Sequence, residues 1–444
     1  MVDVVHEPLQ IDFRGAEGGH GPSTWGQRHI WAAVLDNRGD PARFTMRRSW
    51  SVPGGRTVVD VVAALRALVE RHETLRSRID IDRGIPVQVV GESGTLACSV
   101  TDSAAPWSRE AALRSASELP VSVYGPGGEP PVRFGVLTFE GGPQWITVAI
   151  SHLLVDADGC GMLEAELHAL LSGSGTPPHA TYQPRQRARF EQSVDGRAHN
   201  ARALRYWRTT LEQHPEWLFP PRTDGIDSWR GERFPVLHAY APGLGRHVEQ
   251  VADRLRVSTP ALCLAAFGKA FSARSAAAAY PLGVTFSNRV LPWSRGYVGT
   301  LAQQGAIGVR DVHVPLGQLA RRMWQSLLLG HRFSQYEQDD VFDLISQAYD
   351  GQRDGYGPVA NFVNFQYRPA LTGTPPSAED PAGRALVFTE LSPQEDSSVR
   401  FGLHISSDRS DLVLRMSLDQ ACVHVDTMRD VLDGAAGELW SVNA

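Results

Sequence analysis

An apolar run that leads through a short polar turn into a helix sets the architecture of this chain. Residues 145–159 read WITVAISHLLVDADG: the Ile and Val run ends at Ser151 and His152, and Asp156 follows. Met162, Leu163, Leu167, Leu170 and Leu171 then mark one helical face that stops at Gly173. A second strand over 132–139, joined through Gly141 and Gly142, predicts a hairpin whose second strand ends at His152. An imidazole there sits on rigid backbone and exchanges protons near neutral pH, which makes His152 the first candidate for chemistry.

The same alternation continues along the chain. Val58, Val61, Val62, Leu65, Leu68 and Val69 repeat at helical spacing behind a Thr57/Asp60 capping pair, and a polar run over 71–78 leads into a strand at 79–81. In the second half, Ser258, Thr259 and Pro260 start a helix that is apolar over 262–271, and a strand over 281–287 ends at Asn288 and Arg289. Further elements are expected at 316–328 (helix), 361–367, 401–405 and 412–418 (strands), and 426–439 (helix). With 444 residues the chain exceeds what one core comfortably fills, so two α/β lobes are expected. The breaker-rich stretch 173–179 is the expected boundary, giving lobes 1–175 and 176–444, while 215–235 and 372–383 read as surface loops.

Composition narrows the function. Lys plus Arg number 43 against 49 Asp plus Glu, a net charge of −6 without a basic run, so an electrostatic case for nucleic acid is missing. Neither the N-terminus nor any later stretch offers the ~20 apolar residues of a membrane helix, and the chain reads as cytoplasmic. Cys98, Cys160, Cys263 and Cys422 lack paired spacing, which argues against a disulfide framework or a zinc site; Cys160 reads as a small buried filler rather than a nucleophile. His152, Asp156 and Asp158 offer metal donors at short spacing, but no further histidine completes the set. No bound metal or cofactor is expected.

Four other motifs stand in order along the chain. Residues 24–31 (TWGQRHIW) carry Gln27 and Trp31, residues 71–76 read RHETLR, Val298 and Gly299 lead to Arg310, and residues 362–366 read FVNFQ. With Ser151, His152, Asp156 and Ala157 at its centre, this series resembles the condensation domains of nonribosomal peptide synthetases, whose signature is His-His-x-x-x-Asp-Gly. Ser151 stands for the first histidine, Ala157 for the glycine, and Gln303 for an asparagine in the fourth motif.

The resemblance implies two lobes folded like chloramphenicol acetyltransferase, paired as a V-shaped pseudo-dimer around a central tunnel, with His152 mid-tunnel. Phosphopantetheine arms of acyl or peptidyl carrier proteins enter from opposite faces, and the chain itself binds no cofactor. It implies that His152 is catalytic, as base or as holder of the nucleophile, and that Asp156 pairs with a buried arginine of the other lobe, for which Arg289 is the choice. Ser151 and Ala157 are supporting positions, and Asn364 orients substrate or satisfies buried backbone. Ala157 either reshapes the turn or narrows the approach of a pantetheine arm, since glycine permits the closest backbone approach.

The function implied is a free-standing condensation enzyme, because the chain has no Gly-Gly-x-Ser carrier site and no room for an adenylation domain. It would join a carrier-bound acyl or aminoacyl thioester to an amine or hydroxyl of a small-molecule acceptor in natural-product biosynthesis. Loss of the paired histidine and the glycine points instead to a noncatalytic domain docking a carrier or tailoring enzyme. An acyltransferase using a soluble coenzyme A ester differs only in its donor.

Overall fold

Thr57 and Asp60 form the reciprocal cap their spacing predicts: the Asp60 amide donates to Thr57 Oγ1 at 3.2 Å and the Thr57 amide to the Asp60 carboxylate at 2.8 Å. Behind it Val61, Leu65, Leu68 and Val69 are fully buried along one helical face. The computed structural model describes residues 5–36, 41–122, 130–174, 182–219, 231–348, 361–366, 385–391, 393–394, 397, 399–408 and 410–442. The expected loop 372–383, most of the 173–179 stretch and part of 215–235 lie outside the described residues.

Two compact units result, the first comprising Met1–Ala198 with Ser287–Ala302, the second His199–Phe286 with Gln303–Ala444. The strands of the first are β1 (Val5–Arg14), β2 (Gly19–Pro22), β3 (Thr45–Ser51), β4 (Ser77–Asp82), β5 (Ile85–Val90), β6 (Ser93–Ser103), β7 (Val132–Phe139) and β8 (Gly142–Ser151). Its helices are α1 (Trp25–Asp36), α2 (Val58–Arg71), α3 (Arg109–Glu118), α4 (Ala157–Ser172) and α5 (Pro184–Glu191). A five-stranded sheet runs β1-β6-β7-β8-β3, parallel only between β6 and β7, and β2-β5-β4 form a small antiparallel sheet.

Glu140 (φ 51°) and Gly141 (φ 73°) make the two-residue turn between β7 and β8, the left-handed pair that matches strand twist. Ile146, Val148 and Ile150 of β8 are completely buried in one core with Leu65 and Leu68 of α2 and Leu163 and Leu167 of α4. The alternate residues Thr147, Ala149 and Ser151 are buried as well, and α3 packs against β8 and β3. Because β8 is buried continuously from Ile146 to Ser151, its end is held rigidly, and that end leads into His152.

The second unit contains α6 (Val194–Gln213), which begins just before the boundary, β9 (Val236–Ala241), α7 (Leu244–Leu255), α8 (Thr259–Ser275), β10 (Tyr280–Phe286) and β11 (Gln303–Val309). It continues with α9 (Leu316–Arg332), α10 (Gln338–Ala348), β12 (Asn361–Gln366), β13 (Val387–Leu391), β14 (Phe401–Asp408), β15 (Asp411–Leu418) and α11 (Val425–Ser441). Its mixed seven-stranded sheet runs β11-β10-β12-β14-β15-β9-β13. One face packs on the apolar sides of α7, α8, α9 and α11, with Phe267, Phe271, Leu403, Met416 and Leu432 in the core. Both units are thus α/β.

The units do not follow a single cut at residue 175. Helix α5 stays with the first unit because Arg185 is bound by Glu73 at 2.7 Å, a buried pair that a one-sided break would make costly. Residues 287–302 leave the second unit between β10 and β11 and pack on the first. Their Trp293 ring lies 4.9 Å from Tyr182 and 6.0 Å from Tyr297, and the Arg187 guanidinium sits 4.8 Å from the same indole. Arg187 is itself paired with Glu191 at 2.7 Å, and Glu191 also caps the Trp25 amide at 2.8 Å.

Candidate active site

His152 is pinned by three hydrogen bonds. Its amide donates to the Phe44 carbonyl at 2.7 Å, its carbonyl accepts from Thr300 Oγ1 at 2.7 Å, and its ring Nδ1 meets the Val155 carbonyl at 3.0 Å. A carbonyl only accepts, so this contact places the ring proton on Nδ1 and leaves Nε2 with its lone pair. Among the described residues Nε2 has no hydrogen-bond partner. Burial lowers the imidazole pKa, outweighing the opposite pull of Asp156, so at neutral pH the ring is an uncharged base.

Asp156 does not share that freedom. It is 2% exposed and caps α4, accepting from the Gly159 amide at 2.9 Å. Arg289 donates through both terminal nitrogens, at 2.7 and 2.8 Å, and the amides of Leu301 and Ala302 add bonds at 2.9 and 3.0 Å. Burial pushes the carboxyl upward, but Arg289 and the amide donors outweigh it and hold it below the usual carboxylate range. Five donors therefore converge on a carboxylate that is charged at neutral pH, which is an architectural arrangement rather than a reactive one. Both oxygens being committed, Asp156 is a poor metal donor, and among the described residues no group of His, Cys, Asp and Glu is arranged to hold a metal ion.

The structure brings Asp156 and Arg289 together, with one correction. Arg289 was expected to come from the other lobe; it lies instead on the 287–302 segment, inside the first unit. Asn288 adopts φ 59° and donates to the Leu301 carbonyl at 2.9 Å, closing the segment into a loop that carries Arg289 to Asp156. Arg289 also donates to the carbonyls of Ser287 and Gly299, at 3.1 and 2.9 Å.

Ser151 is buried, and its Oγ accepts from the Leu153 amide at 3.2 Å, supporting the turn beneath His152. Ala157 is the first residue of α4 and is not among the described residues with positive φ, so the backbone there does not demand the signature glycine. Asn364 lies on β12 in the second unit, its amide 3.4 Å from His404 Nδ1. Cys160 is 1% exposed in the core of the first unit.

The motif at 71–76 is a buried ionic framework. Arg71 and His72 both reach Glu166 of α4, at 2.8 and 2.9 Å, Glu73 binds Arg185, Thr74 donates to the Val298 carbonyl at 2.6 Å, and Arg76 donates to the carbonyls of Glu17 and Gly91 at 2.6 and 2.7 Å. Thr24 and Gln27 cap α1 reciprocally. Glu166, Arg185 and Thr300 were not singled out from sequence. Thr300 lay inside the fourth motif, but nothing in its neighbours indicates what its hydroxyl meets. No described helix is long and apolar enough to cross a membrane.

Comparison with known proteins identifies the fold and the family. Tyrocidine synthase 3 of Brevibacillus parabrevis is 24% identical over 384 residues, 83% of this chain and 6% of the synthase, so the chain spans a small fraction of that relative. The condensation domain that mediates chain release from the enacyloxin polyketide synthase superposes with a TM-score of 0.70 at 19% identity, covering 96% of this chain and 82% of that one. The X-domain in complex with OxyB from teicoplanin biosynthesis gives a TM-score of 0.65 at 15% identity, covering 94% and 92%. A family model for the condensation domain matches residues 22–432. On that match, which takes in the His152–Asp156 turn and the Arg289 loop alike, the chain belongs to the condensation-domain family.

Proposed function

We propose that this condensation domain is catalytic and joins a carrier-bound acyl or aminoacyl thioester to an amine or hydroxyl of a small-molecule acceptor, with amide or ester as product. The observation that carries the reading is the state of His152: an uncharged imidazole with Nδ1–H tied to the Val155 carbonyl and Nε2 left as the acceptor. Attack of the acceptor on the thioester carbonyl forms a tetrahedral intermediate. Nε2 takes the proton the nucleophile sheds, and collapse of the intermediate breaks the C–S bond, with the proton passing to the departing thiolate.

The chemical demand on the protein is modest for an amine, whose pKa near ~8 leaves an appreciable neutral fraction. Alignment then supplies most of the acceleration, since effective molarities of ~10⁵–10⁸ M are available from orientation alone. A hydroxyl acceptor leans more heavily on Nε2.

The phosphopantetheine of the carriers belongs to the substrate, and carrier surface plus arm provide binding that a short thiol lacks. The test is intact-mass detection of product when carriers loaded with candidate acyl groups are mixed with the protein and acceptor amines or alcohols. Product from loaded carriers, lost in His152→Ala, supports the proposal. Equal rates with coenzyme A esters transfer it to a soluble donor. Ser151 in place of a second histidine favours a noncatalytic docking domain, and that reading wins if no loaded carrier gives product while a carrier or tailoring enzyme binds tightly.

A further inference from the structure

We infer that Thr300 is a positioning residue for His152, holding the imidazole in its reactive orientation from the segment that also holds Asp156. The inference rests on the proposed role of His152 as proton acceptor. Thr300 is 1% exposed, and its Oγ1 donates to the His152 carbonyl at 2.7 Å. A β-branched side chain has little rotamer freedom, so the direction of that hydroxyl is set once the backbone is placed.

The backbone is placed by contacts that do not involve the hydroxyl. On one side of Thr300, the Val298 carbonyl accepts from Thr74 and the Gly299 carbonyl from Arg289; on the other, the Leu301 and Ala302 amides donate to Asp156. Removing the hydroxyl therefore leaves the segment anchored and frees one group, the His152 carbonyl. The loss falls on the orientation of residue 152 and not on the fold, which separates a positioning role from a general structural one.

A second observation comes from α1. A Cβ built at Gly26 would lie 2.2 Å from the Thr300 carbonyl oxygen, a distance that no real contact tolerates. Gly26 lies within α1 and is not among the described glycines with positive φ, so its lack of a side chain answers to this close approach and not to a left-handed backbone. Helix α1 thus closes on the Thr300 carbonyl, while the Thr300 hydroxyl holds the His152 carbonyl. Gly26→Ala pushes on the same residue at its carbonyl.

The experiment compares Thr300→Val, which keeps shape and loses the donor, with Thr300→Ser, which keeps the donor, and with Gly26→Ala. The readouts are carrier-dependent turnover and the imidazole nitrogen resonances of the full chain labelled at histidine; with 15 histidines, the His152 signals are assigned by their loss in His152→Gln. The expected result is that Thr300→Val folds cooperatively, loses roughly tenfold to a hundredfold in kcat with little change in KM, and shows altered or broadened His152 ring resonances. Thr300→Ser restores both, and Gly26→Ala shifts the ring signals even though residue 300 is unchanged. Unaltered His152 resonances in both Thr300→Val and Gly26→Ala, with turnover within about twofold of wild type, overturn the inference. The ring spectrum does not depend on turnover, so failure of the proposed reaction is read separately from failure of Thr300 to hold the ring.

Discussion

Replacing Asp156 by Ala tests the centre of the site. The substitution strips Arg289 of a carboxylate contacted at 2.7 and 2.8 Å, removes the cap of α4, and leaves the Leu301 and Ala302 amides without acceptors. Breaking a buried pair on one side costs about 3–5 kcal/mol and a lost cap about 1 kcal/mol; because one carboxylate serves every partner, the losses overlap, and a total near ~4 kcal/mol is expected.

The reverse change, Arg289→Met, is milder. Asp156 then keeps three amide donors, and the cost falls to roughly 2–3 kcal/mol. Urea unfolding followed by tryptophan fluorescence, with the double variant completing the cycle, gives a coupling of about 2 kcal/mol. Since the folded carboxyl is held below its ordinary value, that stability is fully present above the unfolded carboxylate pKa near ~4 and disappears as pH falls through the lower folded value. Additive single effects, or Asp156→Ala costing under ~1 kcal/mol, would refute the reasoning.

Further outcomes follow from other residues. His152→Ala lowers turnover by about two orders of magnitude in a folded protein, and in the wild type the acid limb of the pH–rate profile lies below the ordinary histidine pKa, because burial lowers it; a limb above that value contradicts the assignment. Ala157→Gly leaves turnover unchanged and costs at most ~1 kcal/mol of stability, since a first helical position needs no glycine; a gain in rate measured with loaded carriers would show that the Cβ obstructs an arm. Glu166→Ala strands both Arg71 and His72 and destabilises by about 3 kcal/mol in the same unfolding assay, whereas an exposed-residue cost below ~0.5 kcal/mol rules out the framework role. Burial pushes the thiols of Cys98 and Cys263 up to about 12, so neither alkylates at pH 8 until the protein unfolds, as mass spectrometry after iodoacetamide checks.

Most of what the sequence determined is local. The strand end at Ser151 and His152, the Thr57/Asp60 cap and the stop at Gly173 depend on neighbours within a few positions, and each formed where its spacing placed it; the hairpin turn formed one residue before the expected Gly141–Gly142, at Glu140–Gly141, and the cap that Asp156 gives α4 was not read. Elements with little such signal went unread. Strand β3 (TMRRSWS) carries two arginines, and α5 (PRQRARFE) carries three, so both look like solvated surface. In the folded chain Arg47 donates to the carbonyls of Ala116 and Leu119, Arg185 meets Glu73 and Arg187 meets Glu191, and only Arg189 of the α5 arginines stays exposed.

Tertiary structure decided which unit owns Arg289 and what Thr300 holds. Trp293, Tyr182 and Arg187 meet across more than a hundred residues of sequence, and their packing draws 287–302 away from the strands on either side of it. Helix and strand are properties of neighbours along the chain, whereas the burial of a charge or the aim of a hydroxyl is fixed by partners that only folding brings within 3 Å, since an unpartnered polar group in the interior costs more than any local propensity returns.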